Sequence, residues 1–272
     1  MGKSVHRASA HLKDVCREAL QQAATALPSG RQADIAVVIP AYNESANLRR
    51  VLPNRPLAIQ NQLVDYIVVD DGSTDDTCTV SKSAGCMVVR KGVNVGLGHT
   101  VATGLLCAAR RGYSFAITLD ADGQHRFEDL PELLSPLLKG EADLVIGSRI
   151  LGKATMADQV RISGVRLFSW LISLLSQRTI TDCSSGFRGY NLQHVEQLIA
   201  SDPRHYTPEG IFRAGRKGLR ICEVPVTITD RLEGTTKQGA NWRYGLRYGF
   251  AIGRAWWRVT CRGQQPLLLT CG

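Results

Sequence analysis

No stretch of this chain reaches the roughly 18 uninterrupted apolar residues a spanning helix needs, and the N-terminus carries no apolar signal core. Neither a signal peptide nor a transmembrane helix is expected, and the reading is a cytoplasmic protein. Cys-x-x-Cys pairs are also missing. The eight cysteines (Cys16, Cys78, Cys86, Cys107, Cys183, Cys222, Cys261 and Cys271) are scattered, several within apolar runs. That pattern excludes a zinc framework and fits reduced thiols. Carboxylates are absent from the last stretch: from Lys237 onward there are six basic residues and no acid. The whole chain carries +9 with a pI near 9.3. Such a tail can meet nucleic acid, an anionic membrane or a phosphorylated substrate. There are no repeats and no low-complexity segment.

What is present is ample core. The chain has 272 residues, 44% hydrophobic and 21% charged, which suits one large domain with appendages. Residues 5–27 read as an amphipathic helix ended by Pro28-Ser29-Gly30, packed on the main domain or paired with a second subunit. From Asp34 short apolar strands alternate with helices. Strands are expected at 35–39, 66–69, 86–89, 115–119 and 144–146, and helices at 44–57, 75–83, 98–111 and 130–138. Continuous apolar strands between helices indicate an α/β fold with a mainly parallel sheet covered on both faces. Further on, 162–175 reads as an apolar core helix, 182–190 as a polar loop, and 220–229 as strand.

Ligands of parallel sheets bind at the carboxyl ends of the strands. Polar clusters fall there: Tyr42-Asn43-Glu44, Asp70-Asp71-Gly72-Ser73, Asn94 to Gly98, and Asp120 to His125. The triplet Asp120-Ala121-Asp122 puts two carboxylates one residue apart after a buried strand. That is a hard-oxygen site suited to Mg²⁺ or Mn²⁺, which would hold a substrate's phosphates.

Five segments occur in a fixed order: Val38-Ile39-Pro40-Ala41-Tyr42-Asn43-Glu44, Val68-Val69-Asp70-Asp71-Gly72-Ser73-Thr74-Asp75, Asn94-Val95-Gly96-Leu97-Gly98, Asp120-Ala121-Asp122-Gly123-Gln124-His125 and Ser184-Ser185-Gly186-Phe187-Arg188. The set resembles a family 2 glycosyltransferase of the GT-A fold over residues 34 to about 240. Gly147-Ser148-Arg149, Ser185-Gly186-Phe187-Arg188 and Asp230-Arg231-x-x-Gly234-x-x-Lys237 are similar to dolichyl- or polyprenyl-phosphate sugar synthases. The resemblance implies a GT-A domain at 34–236, between a helical extension at 1–33 and a basic aromatic helical tail at 237–272.

It further implies a donor site for GDP-mannose or a UDP-hexose, made by Pro40, Tyr42, Glu44, Val69, Asp71, Asp120, Ala121 and Asp122. Asp71 would accept hydrogen bonds from the base, or cap the Asp-Gly turn. Asp120 and Asp122, with Gln124, would ligate Mg²⁺ or Mn²⁺; His125 would be a hydrogen-bond partner beside them. Arg149, Arg231 and Lys237 would cradle the donor diphosphate, with Arg188 nearer the acceptor phosphate. Asp122, Arg188, Asp182 and Glu209 are the catalytic candidates. Asp182 would be a general base or orient Arg188; Glu209 would be a base or cap a helix at 210–216.

The implied activity is metal-dependent, inverting transfer of a hexose to a polyprenyl monophosphate. The alternatives are a hydroxyl acceptor with one of those carboxylates as base, and a nucleic-acid-binding protein suggested by charge alone. The acidic pair opposes the last, so no nucleic-acid partner is expected. Arg126-Phe127 stands where relatives commonly carry Pro-Pro, and Thr235-Thr236-Lys237 replaces Ser-Lys. The C-terminal spanning helices of many relatives are missing. In their place Arg243, Arg247, Arg254 and Arg258 form one stripe of a helix, with Trp242, Leu246, Phe250, Gly253, Trp256 and Trp257 over much of the rest. Such a helix lies on an anionic membrane, or packs on the domain with its arginines in solvent.

Overall fold

The computed structural model describes residues 33–154, 159–200, 202, 205–229 and 242–261, together with Glu18 and Gln21. The expected helix at 5–27 lies outside them but for those two residues, and Asp230, Arg231 and Lys237 lie outside altogether.

Eight strands make one sheet. They are β1 (Ile35–Ala41), β2 (Ala58–Ile59), β3 (Gln62–Asp70), β4 (Met87–Arg90), β5 (Phe115–Thr118), β6 (Leu144–Ala154), β7 (Arg188–Asn191) and β8 (Ile221–Ile228). The order across it is β4-β3-β1-β5-β7-β6-β8, with β2 antiparallel on the start of β3. All other pairings are parallel except those of β7, which runs antiparallel between β5 and β6. The fold is the mainly parallel α/β sheet that the sequence predicts.

β1 is central because every residue in it is buried. Ile35, Val37, Ile39 and Ala41 face one apolar cluster, and Ala36 and Val38 face another. This period of two with both sides apolar is what a sheet covered on two faces requires. Pro40 lies inside β1 rather than closing it at Ile39. The Val38 carbonyl accepts from Leu119 on the β5 side, and the Ala41 carbonyl accepts from Asp71 on the β3 side. Pro40 has the parity of Val38, and β5 stops pairing at Val38. Its missing N–H therefore falls where no ladder partner is needed.

The helices are α1 (Ser45–Val51), α2 (Thr77–Ser83), α3 (Leu97–Arg110), α4 (Leu130–Leu138), α5 (Gln159–Ser176), α6 (Val195–Leu198), α7 (Tyr206–Arg216) and α8 (Trp242–Thr260). α1 ends before the expected residue 57, because Pro53 and Pro56 follow and the chain leaves through a 3₁₀ turn at Leu52–Asn54. α3 lies close on the sheet: a Cβ on Gly104 would overlap Val38 of β1. The tail helix α8 is not an appendage. Tyr248, Ile252, Ala255 and Val259 join the same apolar cluster as α3 and α7. Among the described residues no helix is long and apolar enough to cross a membrane.

A strand stands where the sequence reading has a loop. The end of the expected loop at 182–190 is strand β7. Arg188-Gly189-Tyr190-Asn191 has no apolar alternation; its extended form comes from pairing on both sides. Gly189 is needed there, since a Cβ would come 2.9 Å from Leu137 and 3.0 Å from the Leu133 carbonyl of α4.

Candidate active site

The carboxyl ends of β1, β3 and β5 lie along one edge of the sheet, and the loops leaving them are tied together. Asn43 sits in left-handed backbone (φ 54°), a conformation its short amide tolerates. Its N–H donates to Ser73 Oγ at 2.9 Å, and its Oδ1 accepts from the Thr74 N–H at 2.9 Å. The N–H groups of Glu44 and Ser45 donate to Thr77 Oγ1 and Asp75 Oδ2. Tyr42 is 37% exposed, and Glu44 Oε2 accepts from Asn47. Pro40 and Val69 are buried in their strands and shape the floor rather than reach into the opening.

The two aspartates after β3 divide their work. Asp70 Oδ1 accepts from the Ser73 N–H at 2.8 Å and so closes the Asp-Gly turn, the role the sequence left open for Asp71. Asp71, 3% exposed, reaches across instead. Its Oδ1 accepts from Lys91 Nζ at 3.3 Å and the Val95 N–H at 3.1 Å, and its Oδ2 from the Gly96 N–H at 3.0 Å. Lys91 is itself buried and donates to Thr100 Oγ1 at 3.0 Å. The carboxylate thus shapes the Asn94–Gly98 loop leading into α3. Lys91 escaped the sequence reading. The signal available was its place directly after β4, at the same edge as the other loops.

After β5, Ala121 is buried in the core, between the half-buried Asp120 and the buried Asp122. Asp122 Oδ1 accepts from the Gln124 N–H at 3.1 Å. His125 Nε2 lies 3.4 Å from Asp120 Oδ2, as expected of a hydrogen-bond partner, and its ring stacks on Phe187 at 4.6 Å. Gln124 donates its side-chain amide to the Thr229 carbonyl and accepts the Thr229 N–H. These two bonds hold Thr229, just past the end of β8, beside the loop that carries the acidic pair. A Cβ on Gly186 would stand 3.1 Å from the Tyr206 hydroxyl and 3.5 Å from both Asp120 oxygens, so glycine leaves that side of Asp120 open. Burial, then the charges of Tyr190 and Asp120, raise the Tyr206 phenol well above its usual range, so it stays a neutral donor. Among the described residues no set of three or more His, Cys, Asp or Glu gathers to hold a metal. The chemistry on offer is a pair of hard carboxylates, which fits Mg²⁺ or Mn²⁺ with ligands shared by a substrate.

Three expectations for the second half need correction. Arg188 is 1% exposed and points into the protein. Its Nε, Nη1 and Nη2 donate to the carbonyls of Ser185, Thr207 and Cys183 at 2.8, 3.0 and 3.2 Å. It ties a loop together and is not presented to an acceptor. Asp182, fully buried, orients Arg149 rather than Arg188: Arg149 Nε donates to its Oδ2 at 2.6 Å, and Ser184 donates to its Oδ1. Glu209, also fully buried, does not cap a helix at 210–216 but lies in the first turn of α7. Its Oε1 takes Arg213 at 2.8 Å, and its Oε2 accepts the Asp202 N–H.

Residues 36–199 match the profile of glycosyl transferase family 2. The chain belongs to this family. It is a glycosyltransferase, with relatives named for polyprenol and dolichyl phosphate. The polyprenol monophosphomannose synthase of Mycolicibacterium smegmatis is 32% identical over 232 residues, covering 77% of this chain and 83% of the relative. The UDP-N-acetylglucosamine–dolichyl-phosphate N-acetylglucosaminyltransferase of Methanococcus voltae is 28% identical, covering 80% and 94%. Among solved structures, glucosyl-3-phosphoglycerate synthase of Mycobacterium tuberculosis, in complex with Mn²⁺, UDP and glucosyl-3-phosphoglycerate, superimposes with a TM-score of 0.64 at 23% identity. That match covers 82% of this chain and 80% of the other, and establishes the GT-A fold.

Proposed function

We propose that this glycosyltransferase moves a hexose from a nucleotide sugar to a polyprenyl monophosphate, with inversion and with Mg²⁺ or Mn²⁺. The observation that carries the acceptor is the state of the two candidate bases. A hydroxyl must lose its proton to a group within reach, whereas a phosphate monoester is already an anionic nucleophile. Asp182 and Glu209 are fully buried and locked to Arg149 and Arg213. Neither is placed to take a proton from a substrate, and a phosphate acceptor needs no such group.

In this reading Tyr42, Glu44 and Asp71 receive the base and ribose, and Asp120 and Asp122 hold the cation, with Gln124 fixing the loop. When bound, the cation supplies Lewis-acid stabilisation of the departing diphosphate. Arg231 and Lys237 form the positive cradle, while Arg149 is held by Asp182. The acceptor phosphate oxygen bonds to the anomeric carbon as the bond to the nucleoside diphosphate breaks, so a single displacement inverts the centre. Relatives named for polyprenyl and dolichyl phosphates support the acceptor. The enzyme works as a peripheral protein on an anionic membrane, where such a lipid resides.

The test is transfer of labelled sugar from a nucleotide-sugar panel to a short-chain polyprenyl phosphate. Turnover should vanish with chelator and return with Mn²⁺ or Mg²⁺. Asp122→Ala should lose on the order of 10²-fold or more while its melting temperature stays close to the parent's. Full turnover in a metal-stripped sample overturns the metal role. Transfer only to hydroxyl acceptors, abolished in Asp182→Asn or Glu209→Gln, overturns the acceptor.

A further inference from the structure

A carboxylate offers about four lone-pair positions. Three of those on Asp71 are taken by groups of this chain: Lys91 Nζ and the Val95 N–H on Oδ1, and the Gly96 N–H on Oδ2. One acceptor position remains, on Oδ2. We propose that Lys91, by closing Oδ1, makes this a site for uracil, so that the donor is a uridine diphosphate sugar. The proposal rests on the reading that Asp71 meets the donor base.

The bases differ in what they present to a carboxylate. Guanine offers two adjacent donors, N1–H and the N2 amine, which together use both oxygens. Uracil offers one, N3–H, between two carbonyls. Cytosine and adenine set an acceptor ring nitrogen beside their amine, and that lone pair would face the carboxylate. With Oδ1 filled, guanine leaves one buried donor unpaired, at a cost of roughly 1–3 kcal/mol, whereas uracil leaves none. The device is rigid. The Lys91 N–H donates to the Asp70 carbonyl at 2.9 Å, and the ammonium is held on α3 by Thr100, whose hydroxyl donates to the Gly96 carbonyl at 2.9 Å. The side chain of Lys91 is fully buried and that of Asp71 is 4% exposed, so water does not compete for Oδ1. Loss of the ammonium leaves Oδ1 with the Val95 amide alone and opens it to a second donor from a base.

Calorimetric titration of the full chain with UDP, GDP, CDP and ADP in Mn²⁺ tests this. The parent should bind UDP more tightly than GDP by on the order of tenfold or more. In Lys91→Met that preference should shrink toward parity, mostly by gain of GDP. Lys91→Arg, which can still donate to Oδ1, should keep it. If Lys91→Met does not fold, the parent and the arginine variant still decide the matter. Asp71→Asn separates the two levels. If it leaves UDP affinity unchanged, Asp71 is not the base site and the donor reading fails with the proposal. If it weakens nucleotide binding, yet the parent favours GDP or Lys91→Met keeps the parent's ratio, the proposal alone is overturned.

Discussion

At the scale of single residues, this chain spends several of its charges on its own interior. Arg188 satisfies three backbone carbonyls, and Asp182 with Arg149 and Glu209 with Arg213 form buried pairs. The consequence for Arg188 can be measured. A lysine there keeps the charge but presents a compact ammonium that cannot span three carbonyls lying in different directions. Arg188→Lys should cost about 2–4 kcal/mol in denaturant unfolding, the loss of two charge-assisted bonds to buried carbonyls. Unchanged stability with lost turnover would return Arg188 to the reacting groups. Asp182 sets a parallel case. Arg149→Ala strands a buried carboxylate and should cost about 3–5 kcal/mol. The motif segments were legible in sequence because their order is, but the direction of a guanidinium is not. Arg149 and Arg188 read alike as phosphate cradles, and only tertiary contacts turn one toward Asp182 and the other toward Ser185, Cys183 and Thr207.

Among elements, the strands that are apolar on both faces were readable, whereas β7 and the two-residue β2 were missed. β1 and β3 announce themselves as Val- and Ile-rich runs and β5 as a short apolar one, whereas β7 is held by its neighbours. At the far edge, β6 and β8 have their register set by one ion pair. Asp143, just before β6, accepts from the Arg220 N–H at 2.9 Å, from Nε at 3.0 Å and from Nη2 at 2.8 Å, directly before the Leu144–Ile221 pairing. The Arg220 hydrogen bonds hold the Asp143 carboxyl below its ordinary value of 3.8. A folded value below the unfolded one means stability that is present above the unfolded pKa and lost as pH falls through the folded one. Melting temperature should therefore fall on the acid side, below about pH 4. Asp143→Asn should flatten that arm and lower neutral-pH stability by about 1 kcal/mol, discounted because Arg220 is half exposed. An acid arm identical in parent and mutant would remove Asp143 as its cause. The close approach of α3 to the entrance of α7 is a second constraint between elements. A Cβ on Gly98, at the start of α3, would overlap the Asp202 carbonyl, so Gly98→Ala should displace the Asn94–Gly98 loop and weaken nucleotide binding.

For the whole molecule, charge and apolar surface coincide on one side, and neither could be read from sequence in full. The 162–175 stretch reads as core, yet α5 leaves Leu167, Trp170 and Leu174 exposed at 61%, 63% and 63%. Spaced by three and four residues, they form one row; Arg166 on the same helix and Arg178 just past its end are also exposed. The neighbouring α8 packs on α5 through Phe168 against Tyr248, at 5.1 Å between ring centres. Its exposed face carries Arg247, Phe250 and Trp257 together, so the aromatics stand beside the arginines rather than across the helix from them. Arg254 is paired with Asp202, which fixes α8 to the entrance of α7. Neither helix contains a carboxylate. A second copy pressed on this face would set arginine against arginine, whereas an anionic bilayer takes the cations at its headgroups and the Leu and Trp side chains below them. The protein should sediment with vesicles containing anionic lipid and not with neutral ones, and should detach as salt rises past a few tenths molar, where the Debye length drops to about 4–5 Å. Trp170→Glu with Leu174→Glu should abolish sedimentation at low salt and keep the parent's melting temperature, because both side chains already face solvent. The same double mutant should retain transfer to a short-chain acceptor dissolved in detergent while losing transfer to acceptor embedded in vesicles. Vesicle binding that survives the double mutation, or a concentration-dependent dimer that it breaks, would assign the face to a protein partner instead of a membrane.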